Sequence, residues 1–160
     1  MAEILKGAAV VAALNEKMTA EIAELKTKGV EPTLAILRVG ERPDDISYEK
    51  GAMKRCATVG VNVKNVVLPG DVDSDTFFNT LDELNNDASV HGILMFRPLP
   101  KHLDSEKARK ALNPAKDIDG CTDGSLAGVF TGTELGFPPC TAQAAMEILD
   151  FYGVDCKGKK

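Results

Sequence analysis

Three short stretches in the second half of the chain carry residue types that together can build a small-molecule site. The first is an apolar strand that runs into a proline-rich turn, His91-Gly-Ile-Leu-Met-Phe-Arg-Pro-Leu-Pro100. The others are Lys116-Asp-Ile-Asp-Gly120, a glycine turn with two carboxylates, and Pro139-Cys-Thr141. A carboxylate beside a buried strand can accept the N–H donors of a ligand, and prolines restrict a turn. We therefore expect a ligand pocket where these stretches meet.

The size and composition of the chain are those of one globular domain. Its 160 residues are 44% hydrophobic and 27% charged, which allows a sizeable core. The 19 basic and 24 acidic side chains are scattered, which disfavours nucleic acid and anionic membranes as partners. No apolar stretch reaches the roughly 20 residues of a membrane span, and these residues show no charged region followed by the apolar core of a signal peptide. A cytoplasmic protein is expected.

The four cysteines, at positions 56, 121, 140 and 156, lack the C-x-x-C spacing of zinc sites. We expect reduced, mostly buried thiols and no metal. Cys140 is interpreted as a structural residue, and Thr141 as the cap of the helix that follows it.

Helical and extended patterns alternate along the chain. An apolar stripe predicts a helix over residues 7–28 that ends at Gly29; its members are Val11, Leu14, Met18, Ile22 and Leu25. Strands are predicted over 33–39, 61–68 and 90–96. Further helices are predicted from about Ser47 to 59, from a cap at Asp73 or Ser74, from a cap at Asp104 to 112, and from 141 to 153. The apolar residues expected to face inward are Phe77, Leu81 and Leu84 in the second of these helices, and Ala145, Ile148, Leu149 and Tyr152 in the last. The segment 113–139 exceeds ordinary loop lengths, which indicates a functional loop or an additional element.

This alternation predicts an α/β fold, a three-layer α/β/α arrangement around a mainly parallel sheet. Ligands of such sheets bind beyond the carboxyl ends of the strands. Three segments leave strands at that edge: the loop after Val39, the turn over 96–100, and the segment 113–139. We predict that the site lies there.

The ordered set of motifs resembles the amino-terminal catalytic domain of methylenetetrahydrofolate dehydrogenase/cyclohydrolase, a folate enzyme of one-carbon metabolism. The motifs that carry the resemblance are Val39-Gly40, Ser47-Tyr48, Gly60, His91-Gly-Ile-Leu, Arg97-Pro-Leu-Pro100, Lys116-Asp-Ile-Asp-Gly120 and Pro139-Cys-Thr141. The resemblance implies that residues 1–160 are the folate-binding domain of a two-domain, NAD- or NADP-dependent enzyme, whose Rossmann domain is absent from this chain. It also implies a homodimer as the full-length protein. The chain itself contains no G-x-G-x-x-G motif.

The resemblance further implies roles for individual residues. Tyr48 would stack along the folate, and the Asp119 carboxylate would accept hydrogen bonds from the pterin; both are assigned catalytic roles. The expected substrate-binding set is Tyr48, Ala52, Phe96, Arg97, Pro98, Leu99 and Asp119. From the residues alone, Asp119 could equally cap its own turn, Tyr48 could be a packing residue, and the prolines could simply end a strand. Asp117 is interpreted as structural.

Two positions depart from the pattern of the family. Ala52 stands where the family has a lysine, one helical turn after Tyr48, and Phe96 stands where it has the glutamine that partners this lysine. Hydride transfer depends chiefly on positioning, whereas hydrolysis of the methenyl product needs a proton-handling group. We therefore predict a dehydrogenase whose cyclohydrolase activity is weakened or lost. Arg97 is expected to restore positive charge nearby or to reach the carboxylate tail of a folate.

Three alternatives stay open at this point. The chain could be a non-catalytic folate-binding module, or part of a bifunctional enzyme in which Arg97 or Lys50 replaces the family's lysine. It could also belong to another two-domain dehydrogenase, such as the shikimate type. The 160-residue fragment by itself is expected to be inactive.

Overall fold

The computed structural model describes residues 4–158 of the chain. Within this range helices alternate with three strands, and one turn of 3-10 helix precedes the last two helices. In chain order the elements are α1 (Gly7–Thr27), β1 (Thr33–Val39), α2 (Pro43–Val59), β2 (Asn62–Leu68), α3 (Ser74–Asn86), β3 (Gly92–Met95), α4 (Ser105–Ala111), the 3-10 turn (Pro114–Lys116), α5 (Asp123–Thr131) and α6 (Cys140–Phe151).

The three strands form one parallel sheet in the order β2-β1-β3. In the centre of the sheet, Leu37 of β1 is opposite Val66 of β2 and Met95 of β3. Helices α2 and α3 connect successive strands, as parallel neighbours require. The predicted α/β class with a parallel sheet is confirmed, and the carboxyl ends of all three strands lie at one edge.

The two faces of the sheet are packed differently. One face carries the larger apolar core, in which Phe77, Leu81 and Leu84 of α3 are buried, as the spacing predicted. The opposite face carries a smaller cluster formed by Ile36, Leu94 and Phe96. Partly buried residues that pack against this smaller cluster are Leu34, Ala52, Val63 and Ile118. Helix α2 therefore lies on the face that carries Phe96.

The residues at which α2, α3 and α4 begin are determined by local sequence. Asp73 and Asp104 cap α3 and α4, because their carboxylates accept the backbone N–H of Thr76 and Lys107 at 2.8 and 3.0 Å. Helix α2 begins at Pro43, four residues earlier than the sequence predicted. Proline has the backbone φ of a first helical residue and needs no N–H there, so the early start has a physical reason.

The carboxyl-terminal part confirms one of the two alternatives predicted for the segment 113–139 and corrects the prediction for Thr141. The segment 113–139 contains the 3-10 turn and α5, so it holds additional elements. Thr141 does not cap α6, because this helix already begins at Cys140 after Pro139.

The outer helices are covered less than their apolar patterns predicted. In α1 the buried residues are Val10 and Ile22, whereas Val11 and Leu25 are exposed. Ala145 of α6 is exposed too, while the other residues predicted to face inward are partly buried: Ile148, Leu149 and Tyr152. Helix α1 packs mainly against α2 and α6, and this limits the area that it buries. None of the helices within residues 4–158 combines the length and hydropathy needed to cross a membrane.

Candidate functional site

A cavity of about 330 Å³ lies at the carboxyl edge of the sheet, in the predicted place. Helix α2 contributes Asp44, Asp45 and Tyr48 from its first two turns. The end of β3 and the following turn contribute residues 94–97, and Asp119 closes the cavity from the next turn. Three carboxylates and one guanidinium therefore line a space that also has an aromatic wall.

The structure brings together four of the residues expected in the site. Tyr48, Phe96, Arg97 and Asp119 line this cavity, and Ala52 lines an adjoining groove on α2. Pro98 and Leu99, also in the expected set, follow Arg97. The peptide bond between Arg97 and Pro98 is cis. Pro98 is exposed and does not line the cavity. The side chain of Leu99 is buried in the larger core, on the other face of the sheet from Phe96, so it does not line the cavity either.

Tyr48 and Phe96 form an aromatic corner of the cavity. Their ring centroids are 5.5 Å apart with planes at 70°, an edge-to-face arrangement. Tyr48 is 64% exposed, which leaves much of its ring open to a ligand. Ala52, one turn after Tyr48, packs against the cluster that contains Phe96. This corner is apolar at the position where the family has a lysine and a glutamine.

The cations of α2 lie in different surroundings. Lys50 and Lys54 are exposed and line neither the cavity nor the groove. Arg55 lines the groove together with Tyr48 and Ala52, and it donates a hydrogen bond to Asn15 Oδ1 at 3.1 Å. Arg55 is therefore the α2 cation that shares a surface with Ala52.

Arg97 and Asp119 form an ion pair at the mouth of the cavity. Arg97 Nη2 donates to Asp119 Oδ2 at 3.2 Å, and the two side chains are 42% and 35% exposed. The positive charge of Arg97 is thus paired with Asp119, the carboxylate that was expected to bind the pterin.

Asp117, two residues before Asp119, is fully buried. Its Oδ2 accepts hydrogen bonds from the backbone N–H of Thr122 and the hydroxyl of Ser125, both at 2.7 Å. Burial raises the pKa of the Asp117 carboxyl, but these hydrogen bonds outweigh burial and hold the pKa below its ordinary value. Asp117 thereby ties the turn to the start of α5, which agrees with the predicted structural role.

The thiols near this turn are poor nucleophiles. Cys121 is buried, and burial, together with the charge of Asp117, raises its pKa to about 11. Partial desolvation of its sulfur, together with the charges of Asp119 and Asp117, also raises the pKa of Cys140, whose Sγ donates to the carbonyl of Ile118 at 3.1 Å. All four thiols are free, but the prediction that most are buried is wrong, because Cys140 and Cys156 are exposed. Residues 4–158 contain no cluster of metal-binding side chains.

A buried ion pair beneath α2 was missed in the sequence. Arg38 Nε donates to Glu49 Oε2 at 2.7 Å, and each side chain is 8% exposed. Asn65 donates to the other oxygen of Glu49 at 3.1 Å, and Arg38 also donates to the carbonyl of Gly40. The hydrogen bond from Arg38 lowers the pKa of Glu49. A charged residue inside the apolar run 33–39 was the available signal for this pair.

The pair fixes the residue next to Tyr48. Arg38 is at the end of the central strand, and Glu49 follows Tyr48 on α2. The first turns of the helix are therefore tied to the edge of the sheet at which the cavity opens.

The sequence profile described as tetrahydrofolate dehydrogenase/cyclohydrolase, catalytic domain, matches residues 5–119. The chain belongs to this family. The resemblance inferred from the motifs is thereby confirmed, and the shikimate-type alternative is wrong.

Relatives in the family match the whole chain. The "Bifunctional protein FolD" of Carboxydothermus hydrogenoformans is 44% identical over 160 residues, which are 100% of this chain and 56% of the relative. The chain thus spans a little over half the length of this folate-enzyme relative.

Solved structures of the family have the same fold. The bifunctional FolD methylenetetrahydrofolate dehydrogenase/cyclohydrolase from Campylobacter jejuni superposes with a TM-score of 0.91 at 32% identity, over 96% of this chain and 54% of that one. The Trypanosoma brucei enzyme, complexed with NADP and an inhibitor, gives a TM-score of 0.86 at 31% identity, over 96% of this chain and 52% of that one.

Proposed function

We propose that this chain is the folate-binding part of an NAD- or NADP-dependent methylenetetrahydrofolate dehydrogenase whose cyclohydrolase activity is weakened or lost. The observation that carries the proposal is the apolar corner of Tyr48, Ala52 and Phe96 at the edge of the sheet. The family's lysine and glutamine would occupy two of these positions. We further propose residues 1–160 as one folate-binding domain, and a homodimer as the full-length protein.

The residues of the cavity can hold a folate by two contacts. The exposed ring of Tyr48 offers a surface for stacking, and Asp119 offers carboxylate oxygens to the amino group and ring nitrogen of the pterin. Contact with the face of the ring system by Tyr48 and with its edge by Asp119 would fix its orientation. For a reaction that depends on holding two carbon atoms in contact, orientation is the main contribution that a protein makes.

The charges around the cavity favour loss of a hydride. When a hydride leaves the methylene carbon, positive charge develops on the carbon and its two nitrogens. Asp44 and Asp45 line the cavity in addition to Asp119, which is assigned to the pterin, and fixed carboxylates stabilise developing positive charge. A lysine at position 52 would oppose that charge, so alanine there favours oxidation of the folate.

The same corner is poorly equipped for hydrolysis. Attack of water on the methenyl cation needs a group that takes up a proton, and Ala52 and Phe96 have none. We therefore propose that the methenyl product leaves the site unhydrolysed.

The hydride acceptor is the nicotinamide, and its chemistry belongs to the cofactor. Within residues 4–158, no strand is followed by the glycine-rich turn that binds a dinucleotide. We therefore assign NAD or NADP to no residue of this chain, and we expect the 160-residue chain to bind a folate without oxidising it.

A paired assay of the full-length protein tests the proposal. One arm follows oxidation of methylenetetrahydrofolate with NAD or NADP, and the other follows hydrolysis of methenyltetrahydrofolate above the uncatalysed rate. We expect oxidation with little or no catalysed hydrolysis. Hydrolysis as fast as that of a bifunctional FolD relative, assayed in parallel, would contradict the proposal.

The double variant Ala52→Lys/Phe96→Gln provides the matched comparison. If the missing pair is the cause, this variant should hydrolyse the methenyl compound at least tenfold faster than the unaltered protein. The single variant Phe96→Leu controls for the loss of the aromatic ring, and it should gain no hydrolysis.

Arg55 supports a second candidate, a bifunctional enzyme with a replacement cation. Its guanidinium shares the groove with Tyr48 and Ala52. If hydrolysis is observed, Arg55→Gln should abolish it while oxidation continues. A protein that binds folate but shows neither activity would instead be the non-catalytic binding module.

A further inference from the structure

The ion pair between Arg97 and Asp119 occupies the carboxylate on which the proposed function depends. One guanidinium N–H contacts Asp119 Oδ2 at 3.2 Å, and both residues line the cavity. Neither side chain is buried, with 42% and 35% of their surfaces exposed. A contact of this kind is weak, and its partners exchange readily with solvent or with a ligand.

The guanidinium and the pterin present the same chemical feature to a carboxylate. Arginine offers N–H donors in a planar fork. The 2-amino-4-oxo edge of a pterin likewise offers an amino group and a ring N–H side by side. Both donors are suited to the oxygens of a carboxylate, so Arg97 and the pterin compete for one acceptor.

We infer that Arg97 is a specificity-determining residue that acts as an internal competitor for Asp119 and must leave it when a ligand binds. This inference rests on the proposed function, since a folate is the ligand considered. A ligand that presents two parallel N–H donors can displace the guanidinium. A compound of similar size without such an edge gains nothing from Asp119 and leaves the ion pair in place.

Removal of the Arg97 charge should change the affinity for a folate in an unexpected direction. A folate carries a dianionic glutamate, so removal of a nearby positive charge should ordinarily weaken its binding. Removal of a competitor should strengthen it. The weakness of a half-exposed ion pair limits the gain to roughly two- to fivefold in Kd.

Isothermal titration calorimetry of the 160-residue chain with 5-formyltetrahydrofolate tests the sign. We expect Arg97→Leu to bind the probe about two- to fivefold more tightly than the unaltered chain. Arg42→Leu is the matched control, because Arg42 is 50% exposed and its Nε is 3.8 Å from a carboxylate oxygen of Asp45. It loses the same charge near the cavity, and should bind no more tightly than the unaltered chain.

The possible outcomes separate this inference from the proposed function. Equal or weaker binding by Arg97→Leu would overturn the inference and leave folate binding intact. Failure of both the unaltered chain and Arg97→Leu to bind, with native circular dichroism, would overturn the proposed function and the inference with it. Asp119→Asn should bind at least tenfold more weakly than the unaltered chain, and unchanged affinity in this variant would also overturn the inference.

Discussion

Two arginines near the carboxyl ends of neighbouring strands are each paired with a carboxylate, in opposite surroundings. Arg38 and Glu49 are 8% exposed and meet at 2.7 Å, with Asn65 completing the network. Arg97 and Asp119 are 42% and 35% exposed and meet at 3.2 Å. The pair of Arg38 and Glu49 lies under α2 and is the inner pair. The pair of Arg97 and Asp119 lies at the mouth of the cavity and is the outer pair.

The difference in burial suits the two ion pairs to different roles, one structural and one in ligand binding. A buried charge that loses its partner is left without water, which makes the inner pair a fixed attachment for α2. A half-exposed charge recovers water when its partner leaves, so the outer pair can open at little cost. We therefore expect the stable pair to hold Tyr48 in place and the weak pair to leave Asp119 available to a ligand.

Breaking the inner pair should have the largest effect. Glu49→Leu strands the Arg38 guanidinium in the interior, and we expect it to lower the free energy of unfolding by about 3–5 kcal/mol. Urea denaturation measures this loss. The double variant Arg38→Met/Glu49→Leu removes both charges and should recover most of the stability. If the free energy of unfolding of Glu49→Leu falls by less than about 1 kcal/mol, the inner pair does not hold α2 on the sheet.

The two carboxylates of the 117–119 turn should behave differently as well. Asp117→Ala leaves the Thr122 N–H and the Ser125 hydroxyl unpaired in the interior, at an expected cost of about 1–3 kcal/mol in unfolding free energy. Asp119→Ala should change stability by less than about 0.5 kcal/mol but abolish detectable binding of 5-formyltetrahydrofolate. Urea titrations and calorimetry on both variants check this contrast. Equal losses of stability would contradict it.

Acid should weaken the inner pair. Arg38 holds the pKa of Glu49 below its ordinary 4.5, so the unfolded chain binds this proton more readily than the folded chain. The stability contributed by Glu49 is therefore complete above pH 4.5 and is lost as the pH falls through the lower pKa of the folded state. Urea midpoints measured between pH 7 and pH 3 should fall more steeply for the unaltered chain than for Arg38→Met/Glu49→Leu. Parallel curves would contradict this prediction.

The outer pair should have the smallest effect on stability. We expect Arg97→Leu to change the free energy of unfolding by less than about 1 kcal/mol, because both partners return to water. Sodium chloride at 1 M should remove the remaining difference between this variant and the unaltered chain. A larger loss that persists in high salt would mean that Arg97 is structural.

Features with local signals were predicted well. The carboxylates that cap α3 and α4 and the apolar stripe of α3 depend on residues three or four positions apart. The parallel sheet followed from the alternation of strands and helices. The early start of α2 also had a local signal, Pro43 followed by Asp44 and Asp45, which the prediction from Ser47 overlooked.

Features that depend on distant contacts were not predicted. Helix α5 has no apolar stripe facing a core, since Phe130 is 92% exposed, so its pattern did not distinguish it from a loop. Glu49 was not recognised as a partner of Arg38, because the two meet only when α2 packs on the sheet. The folate resemblance named Asp119, but its contact with Arg97 depends on how two turns approach each other.

When a ligand binds, the inner pair of Arg38 and Glu49 should stay fixed, and the outer pair of Arg97 and Asp119 should open. Nuclear magnetic resonance of the arginine Nε–H groups follows both ion pairs in one experiment. The ¹⁵N-labelled chain is titrated with 5-formyltetrahydrofolate. Arg97→Lys and Arg38→Lys identify the two signals. We predict that the Arg97 signal shifts along the binding curve, while the Arg38 signal keeps its position and its slow exchange with water. A fixed Arg97 signal at saturation, or movement of Arg38 alone, would contradict the account.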